Sequence, residues 1–236
     1  MDHLVELRKR LLFSFAAIAI CGIVVFIFYS SVLSFLSGPY EQVTRGSPGC
    51  GRDGCKLIVT GPLEPLMVRL KIAGYGGLAL AIPFVMWQIW RFIVPGLHRR
   101  ERRYAVGFVV GSVVLFVLGC VVAWFTVEKA LDFLLGIGGE GLRPLIDADK
   151  YLTLVMLMIA AFGIAFEFPL LLIFLLLVGA VNTVQLRQVR RYAAVGITIF
   201  AAIITPSQDP FSLLFMAVPL YIFYEASILI GRVMKR

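Results

Sequence analysis

Long apolar runs recur along this chain, and they constrain its fold more than any other feature. A helix needs about 20 apolar residues to cross a hydrocarbon core about 30 Å thick. The runs, uncharged except for Glu167 in the last of them, cover residues 11–40, 72–90, 104–127 and 151–186. Apolar residues make up 60% of the 236 residues and charged ones 15%, whereas soluble domains are nearer 45–50% apolar. The sequence therefore predicts an all-α, polytopic integral membrane protein.

Six transmembrane helices are expected within one domain, residues 1–236. Their approximate ranges are 11–36, 68–91, 104–127, 151–178, 190–204 and 210–231. The first run lacks a convincing small-residue cleavage site, so it is expected to stay as a span. The fifth span is short because Thr205-Pro206 ends its apolar run. Residues 1–10 are expected to form a helix at the membrane surface before the first span.

The distribution of charge predicts the orientation. With the amino terminus in the cytoplasm, the inner segments hold fourteen of the 22 Lys and Arg residues and three acids, a net charge of +11. The outer segments then sum to −1. An excess of Lys and Arg marks cytoplasmic loops, so both termini are expected inside. The overall charge of +8 is explained by this asymmetry, and no nucleic-acid partner is expected.

Two carboxylates stand among arginines on the expected cytoplasmic side. Glu101 lies in the basic loop 92–103 (FIVPGLHRRERR), and Glu6 stands four residues before Arg10. In one interpretation the arginines orient the loop while Glu101 relieves their repulsion, and Glu6 makes an ordinary i,i+4 pair. In the other, the two carboxylates receive a cationic peptide. The local sequence leaves both interpretations open.

Glu167 is expected deep in the fourth span, about 24 Å from its outer end. A carboxyl there indicates a functional site, although a neutral acid hydrogen-bonded between helices is the simpler alternative. Pro169 is expected to bend the helix beside it, and Gln88 is a second polar group, near the inner end of the second span.

Two other classes of function fit the sequence less well. A proton- or ion-coupled secondary transporter could use Glu167, but the two halves of the chain show no internal symmetry. An intramembrane enzyme is disfavoured because both histidines, His3 and His98, lie at the cytoplasmic edge. Cys50 and Cys55 flank a Gly-Arg-Asp-Gly turn in an outer loop and could form a disulfide. No metal site or cofactor is expected, since that loop offers no further ligands.

Several motifs, in a fixed order, resemble those of the TatC family, the multispanning subunit of the twin-arginine protein translocase. The amino-terminal HLVELRKRL at 3–11 resembles the family signature. Similar motifs follow at Glu64-Pro-Leu-Met with Arg69-Leu-Lys71, Pro83 through Gln88-Ile-Trp-Arg-Phe92, Pro95-Gly-Leu through Arg99-Arg-Glu-Arg-Arg103, Phe162 to Pro169 (FGIAFEFP), and Thr205-Pro206 with Asp209. Together they span nearly the whole chain.

The resemblance implies a concave, cup-like arrangement of six helices in the cytoplasmic membrane of a prokaryote, and a receptor instead of an enzyme. It would bind the twin-arginine signal peptides of folded cargo proteins and nucleate an export complex with single-span subunits of the TatA and TatB type. It could also associate with copies of itself. The residues carried over for signal-peptide binding are Glu6, Arg8, Phe92 and Glu101. Glu167, with Gln88, would meet a partner helix within the bilayer, and Pro39 and Asp209 match outer-face positions of the family.

Overall fold

The computed structural model describes residues 2–45, 50, 54–93, 105–137 and 146–233. Nine α-helices lie in these ranges. They are α1 Asp2–Ile27, α2 Tyr29–Val43, α3 Glu64–Ile93, α4 Ala105–Ile137, α5 Ala148–Ala165, α6 Phe168–Val178, α7 Thr183–Gln188, α8 Arg190–Ile204 and α9 Pro210–Val233.

Five helical segments are long and apolar enough to cross a membrane. They are Val5–Ile27, Glu64–Phe92, Val106–Ile137, Ala148–Val178, which joins α5 and α6, and Pro210–Arg232. The fifth of the six expected spans, residues 190–204, is not among these five segments. Helix α8 has 15 residues, or about 22 Å of helix, which is short for a hydrocarbon core of about 30 Å. The basic connection before it is itself helical, as α7, and Asn182 caps α7 through a capping box with Gln185.

The amino-terminal region departs from the sequence prediction at one point. Residues 2–27 form one uninterrupted helix, so the helix expected before the first span is continuous with that span. The first apolar run, however, is divided, because α1 ends at Ile27 and α2 begins at Tyr29. Ser30 and Ser31 follow this break, and serine pairs are sites where helices bend.

Small residues allow two helix pairs to pack closely. Helix α1 packs along α3 at Gly22 and Gly77, where a Cβ added to Gly77 would lie 2.7 Å from the backbone of Gly22. Helix α4 crosses α5 at Gly119, where an added Cβ would lie 2.6 Å from the carbonyl oxygen of Phe162. Both distances are below van der Waals contact. Such close backbone approach at small residues is typical of helices packed within membranes.

The largest buried side chains are aromatic and lie where α2 and α9 meet α5. Tyr40 of α2 and Tyr151 of α5 have ring centroids 5.5 Å apart, and both side chains are buried. The Tyr151 hydroxyl donates to the carbonyl oxygen of Leu36, 2.8 Å away. This hydrogen bond holds α2 against the start of α5, and Phe166 packs edge-on against Phe223 of α9.

Polar contacts join α3 to α5 at the side of the molecule where α3 begins and α8 ends, which we call the Asp209 face. Lys71 Nζ lies 2.7 Å from both carboxylate oxygens of Asp149, and Ile58 pairs with Asp147 in an isolated parallel bridge. The Thr60 hydroxyl donates to Asp147 at 2.8 Å, and this hydrogen bond lowers the pKa of the Asp147 carboxyl. On the same side, Cys50 and Cys55 form a disulfide with their Cα atoms 4.7 Å apart.

Candidate functional site

A cavity of about 530 Å³ lies between the start of α1 and the end of α3, on the side that we call the Glu6 face. Its lining residues are polar or charged except for two. They are Val5, Glu6, Lys9, Arg10, Phe13, Gln88 and Arg91. Because α3 ends at Ile93, the cavity adjoins the point where the basic loop begins. Glu101 belongs to that loop and lies outside the described residues.

The Glu6 carboxylate binds a guanidinium group within this cavity. Arg10 donates to Glu6 Oε1 from Nε at 3.2 Å and also from Nη2. The two residues are one helical turn apart on α1, where such pairs face each other. The Arg10 side chain is 15% exposed and that of Glu6 is 39% exposed. Two nitrogen atoms of Arg10 are therefore bound in the cavity, while the Glu6 side chain that accepts from them is partly exposed to solvent.

Gln88 holds the same guanidinium from the opposite helix. Its Oε1 accepts from Arg10 Nη1 at 3.5 Å, and the Gln88 side chain is buried. The sequence placed Gln88 with Glu167 as an intramembrane polar group, whereas the structure brings it to the Glu6 cavity. Arg8 is exposed on α1, and Phe92 is half-buried near the end of α3. Neither Arg8 nor Phe92 lines the cavity.

Glu167 lies at the break between α5 and α6. Pro169 occupies the first turn of α6, where a proline disturbs no helical hydrogen bond. Glu167 Oε2 accepts from the hydroxyl of Ser112, 2.7 Å away on α4. Glu167 Oε1 is buried and accepts no hydrogen bond from the residues that the structure describes. One carboxyl oxygen of Glu167 is therefore held by Ser112, and the other is buried without a hydrogen bond from the described residues.

Ser112 is a residue of this site that the sequence did not predict, and its side chain is fully buried. The sequence showed only a single serine in the middle of an apolar run. A hydroxyl in that position can equally donate to a backbone carbonyl of its own helix, so it did not indicate a contact with Glu167. Only the packing of α4 against α5 shows that this serine faces Glu167.

Asp209 caps the start of α9 on the opposite side of the molecule. Its Oδ1 accepts from the backbone N–H of Ser212 at 2.8 Å, and its side chain is buried. Burial raises the pKa of this carboxyl, but the backbone N–H of Ser212 and the nearby Ser207 and Ser212 side chains outweigh burial and leave the pKa below its usual value. The preceding Gln208 has φ of 49°, a left-handed conformation that tightens the turn. Pro39, the other outer-face position, is buried within α2.

Groups of three or more side chains able to hold a metal ion do not occur in the described part of the chain. Each of the carboxylates named above instead accepts from an arginine, a hydroxyl or a backbone donor through one of its oxygens. The arrangement can therefore bind cationic or hydrogen-bonding groups.

These features define a multi-pass, all-helical membrane protein with an arginine-binding carboxylate at one face and a buried glutamate between its helices. The sequence matches the family of the Sec-independent protein translocase protein (TatC) over residues 2–219. The chain belongs to this family. The membership confirms the all-α membrane fold and agrees with the expectation that the chain is not an enzyme.

Individual relatives agree with this membership. A Sec-independent protein translocase protein TatC of Frankia casuarinae is 42% identical over 98% of this chain, which spans 64% of that relative's length. One of Deinococcus radiodurans is 35% identical over 99% of this chain and 86% of its own length. A crystal structure of the twin arginine translocase receptor TatC superposes with a TM-score of 0.80 at 36% identity, covering 99% of this chain and 100% of that one.

Proposed function

We propose that this protein is the signal-peptide receptor of a twin-arginine translocase and that the Glu6 cavity binds one arginine of the signal. The observation that carries the proposal is the two-nitrogen contact of Arg10 with Glu6. In that contact a carboxylate in a partly exposed cavity already accepts from a guanidinium, and this supports the proposal. An incoming peptide arginine would take the place of Arg10.

Two adjacent arginines require two acceptors, and Glu101 is proposed as the second. The basic loop that carries it starts directly after α3, whose last turns line the Glu6 cavity. A planar guanidinium donates to a carboxylate through two parallel hydrogen bonds, which an ammonium group cannot reproduce. The site should therefore distinguish arginine from lysine. Arg8 and Phe92 are proposed to contact the peptide at the rim of the cavity.

Glu167 is proposed to meet a polar group on a partner helix, with TatA- and TatB-type subunits as the partners. Its support is the buried Oε1 atom without a hydrogen bond from the described residues, because an unsatisfied polar atom within a membrane is costly. A transporter that uses Glu167 was the alternative, and the family match gives it no support. The proposed location is the cytoplasmic membrane, with both termini in the cytoplasm.

Peptide binding to the full chain in nanodiscs tests the receptor assignment. An Arg-Arg signal peptide is compared with its Lys-Lys version on the wild type and on Glu6→Gln and Glu101→Gln. Either substitution should weaken Arg-Arg binding about tenfold, since charged hydrogen bonds are lost. The matched control is Glu225→Gln, which removes a carboxylate that is also paired with an arginine, Arg190 at 2.5 Å. Equal binding of both peptides to every protein would overturn the assignment.

A further inference from the structure

An apolar cavity of about 320 Å³ lies between α1, α2, α3, α4 and α5, away from the Glu6 cavity. Its lining on α3 runs from Ile72 to Ile82, a distance of about 15 Å along the helix. That length is about half of a hydrocarbon core of about 30 Å, and so about the depth of one leaflet. Val25 of α1 and Ala160 of α5 also line the cavity.

A cation lies beyond one end of this cavity. Arg69 precedes Ile72 by one turn on α3, toward the Asp209 face. Its guanidinium carbon lies 4.3 Å from the ring centroid of Phe26 and 5.1 Å from that of Tyr29. Phe26 adjoins Val25, which lines the cavity. The two rings hold the guanidinium at the end of the cavity by cation–π contact.

The charge of Arg69 is not balanced by a carboxylate within 4 Å among the described residues. Its Nε is buried and donates no hydrogen bond to them, and its Nη2 makes only a long contact, 3.5 Å, with the carbonyl oxygen of Phe26. Lys71, two residues later, differs because Asp149 neutralises it at 2.7 Å. Arg69, which is partly exposed, thus carries a charge that no described carboxylate within 4 Å balances.

We propose that Arg69 and this cavity form a binding site for one anionic phospholipid. The phosphodiester accepts hydrogen bonds from the Arg69 guanidinium, and one acyl chain lies in the cavity along α3. Arginine matches phosphate by its fork of donors, and the apolar lining matches a hydrocarbon chain. In the proposed orientation the lipid belongs to the outer leaflet.

The charge beside the cavity favours an anionic lipid over a partner helix. The lining of the cavity is apolar, and Arg69 lies just beyond one end of it, as the headgroup and the acyl chain of one lipid would require. The site is also distinct from the Glu6 cavity, so the lipid proposal does not depend on signal-peptide binding.

Lipid binding to the full chain in mild detergent, followed by native mass spectrometry, tests the site. Phosphatidylglycerol is titrated against the wild type, Arg69→Gln, and Ala160→Phe, which fills the cavity. Both variants should bind it about tenfold more weakly, since one loses a charged hydrogen bond and the other the space for the chain. The controls Lys129→Gln and Ala202→Phe change an exposed lysine and an exposed alanine elsewhere and should bind as the wild type does.

Two further probes separate the contribution of the headgroup to binding from that of the acyl chains. Glycerophosphoglycerol, the headgroup without chains, should bind weakly to all the proteins, and phosphatidylcholine should bind more weakly than phosphatidylglycerol. Wild-type affinity in Arg69→Gln or in Ala160→Phe overturns the proposal, because the site requires both the cation and the cavity. If Arg69→Gln is not monodisperse, Ala160→Phe is compared with Ala202→Phe alone. Equal affinity of these two variants for phosphatidylglycerol then overturns the proposal.

Discussion

The carboxylates of Glu6, Glu167 and Asp209 accept from three different kinds of donor. Glu6 is paired with a guanidinium, Glu167 with a hydroxyl, and Asp209 with a backbone N–H at a helix start. An arginine can be exchanged for another arginine, so the Glu6 arrangement suits a ligand site. The Asp209 arrangement is local to one turn and suits a structural role.

Ser112→Ala should destabilise the protein by about 1–3 kcal/mol, because Glu167 Oε2 would lose its only hydrogen bond from a described residue while staying buried. Thermal unfolding in nanodiscs measures the loss, and Ser31→Ala, at an exposed serine of α2, is the control. In a Glu167→Leu background the same substitution should cost much less. An equal cost in both backgrounds would show that Ser112 does not act through Glu167.

Asp209→Asn should flatten the dependence of stability on pH. The folded-state pKa of Asp209 lies below the ordinary value of 3.8, so the ionised carboxylate stabilises the fold. This contribution is complete above about pH 4 and is lost as pH falls through the folded-state pKa. The melting temperature of the wild type should therefore fall more steeply than that of the variant below about pH 4, with a difference near neutral pH equivalent to about 1 kcal/mol. Parallel pH profiles would contradict this account.

At the scale of helices, packing depends on positions without side chains. Gly119→Ala should destabilise the contact of α4 with α5 by about 1–3 kcal/mol, because the new Cβ would meet the Phe162 carbonyl oxygen at 2.6 Å. Gly107→Ala in the same helix is the control, since its Cβ would have no neighbour within 4 Å. Unfolding in detergent measures both. Equal stability of the two variants would mean that the crossing can open without cost.

The sequence predicted much of the helix order, and the reasons for its failures are physical. The short α8 followed from an apolar run that ends at Thr205-Pro206. The break at Phe28 could not be predicted, because apolar residues continue on both sides of it and no proline or glycine marks it. The Glu6–Arg10 pair followed from spacing on one helix, whereas the partners Gln88 and Ser112 depend on how separate helices pack.

At the scale of the whole molecule, the charge asymmetry predicts which face meets the cytoplasm. Single cysteines replacing Lys9 and Lys129, both exposed and on opposite faces, test this in a background with the native Cys21 and Cys120 changed to alanine and the Cys50–Cys55 disulfide kept. A membrane-impermeant maleimide added to spheroplasts should label the protein with Lys129→Cys and spare the one with Lys9→Cys until the membrane is opened. The reverse pattern would invert the proposed orientation.

The receptor assignment depends above all on contact between Glu6 and an arginine of the signal peptide. A double-mutant cycle measures it most directly, with Glu6→Gln in the protein and Arg→Gln at each signal arginine, by calorimetry on the full chain in nanodiscs. For one of the two arginines the coupling free energy should be about 1.5–3 kcal/mol, the range for hydrogen bonds to charged groups. Coupling below about 0.5 kcal/mol at both arginines would indicate independent sites and would contradict the assignment.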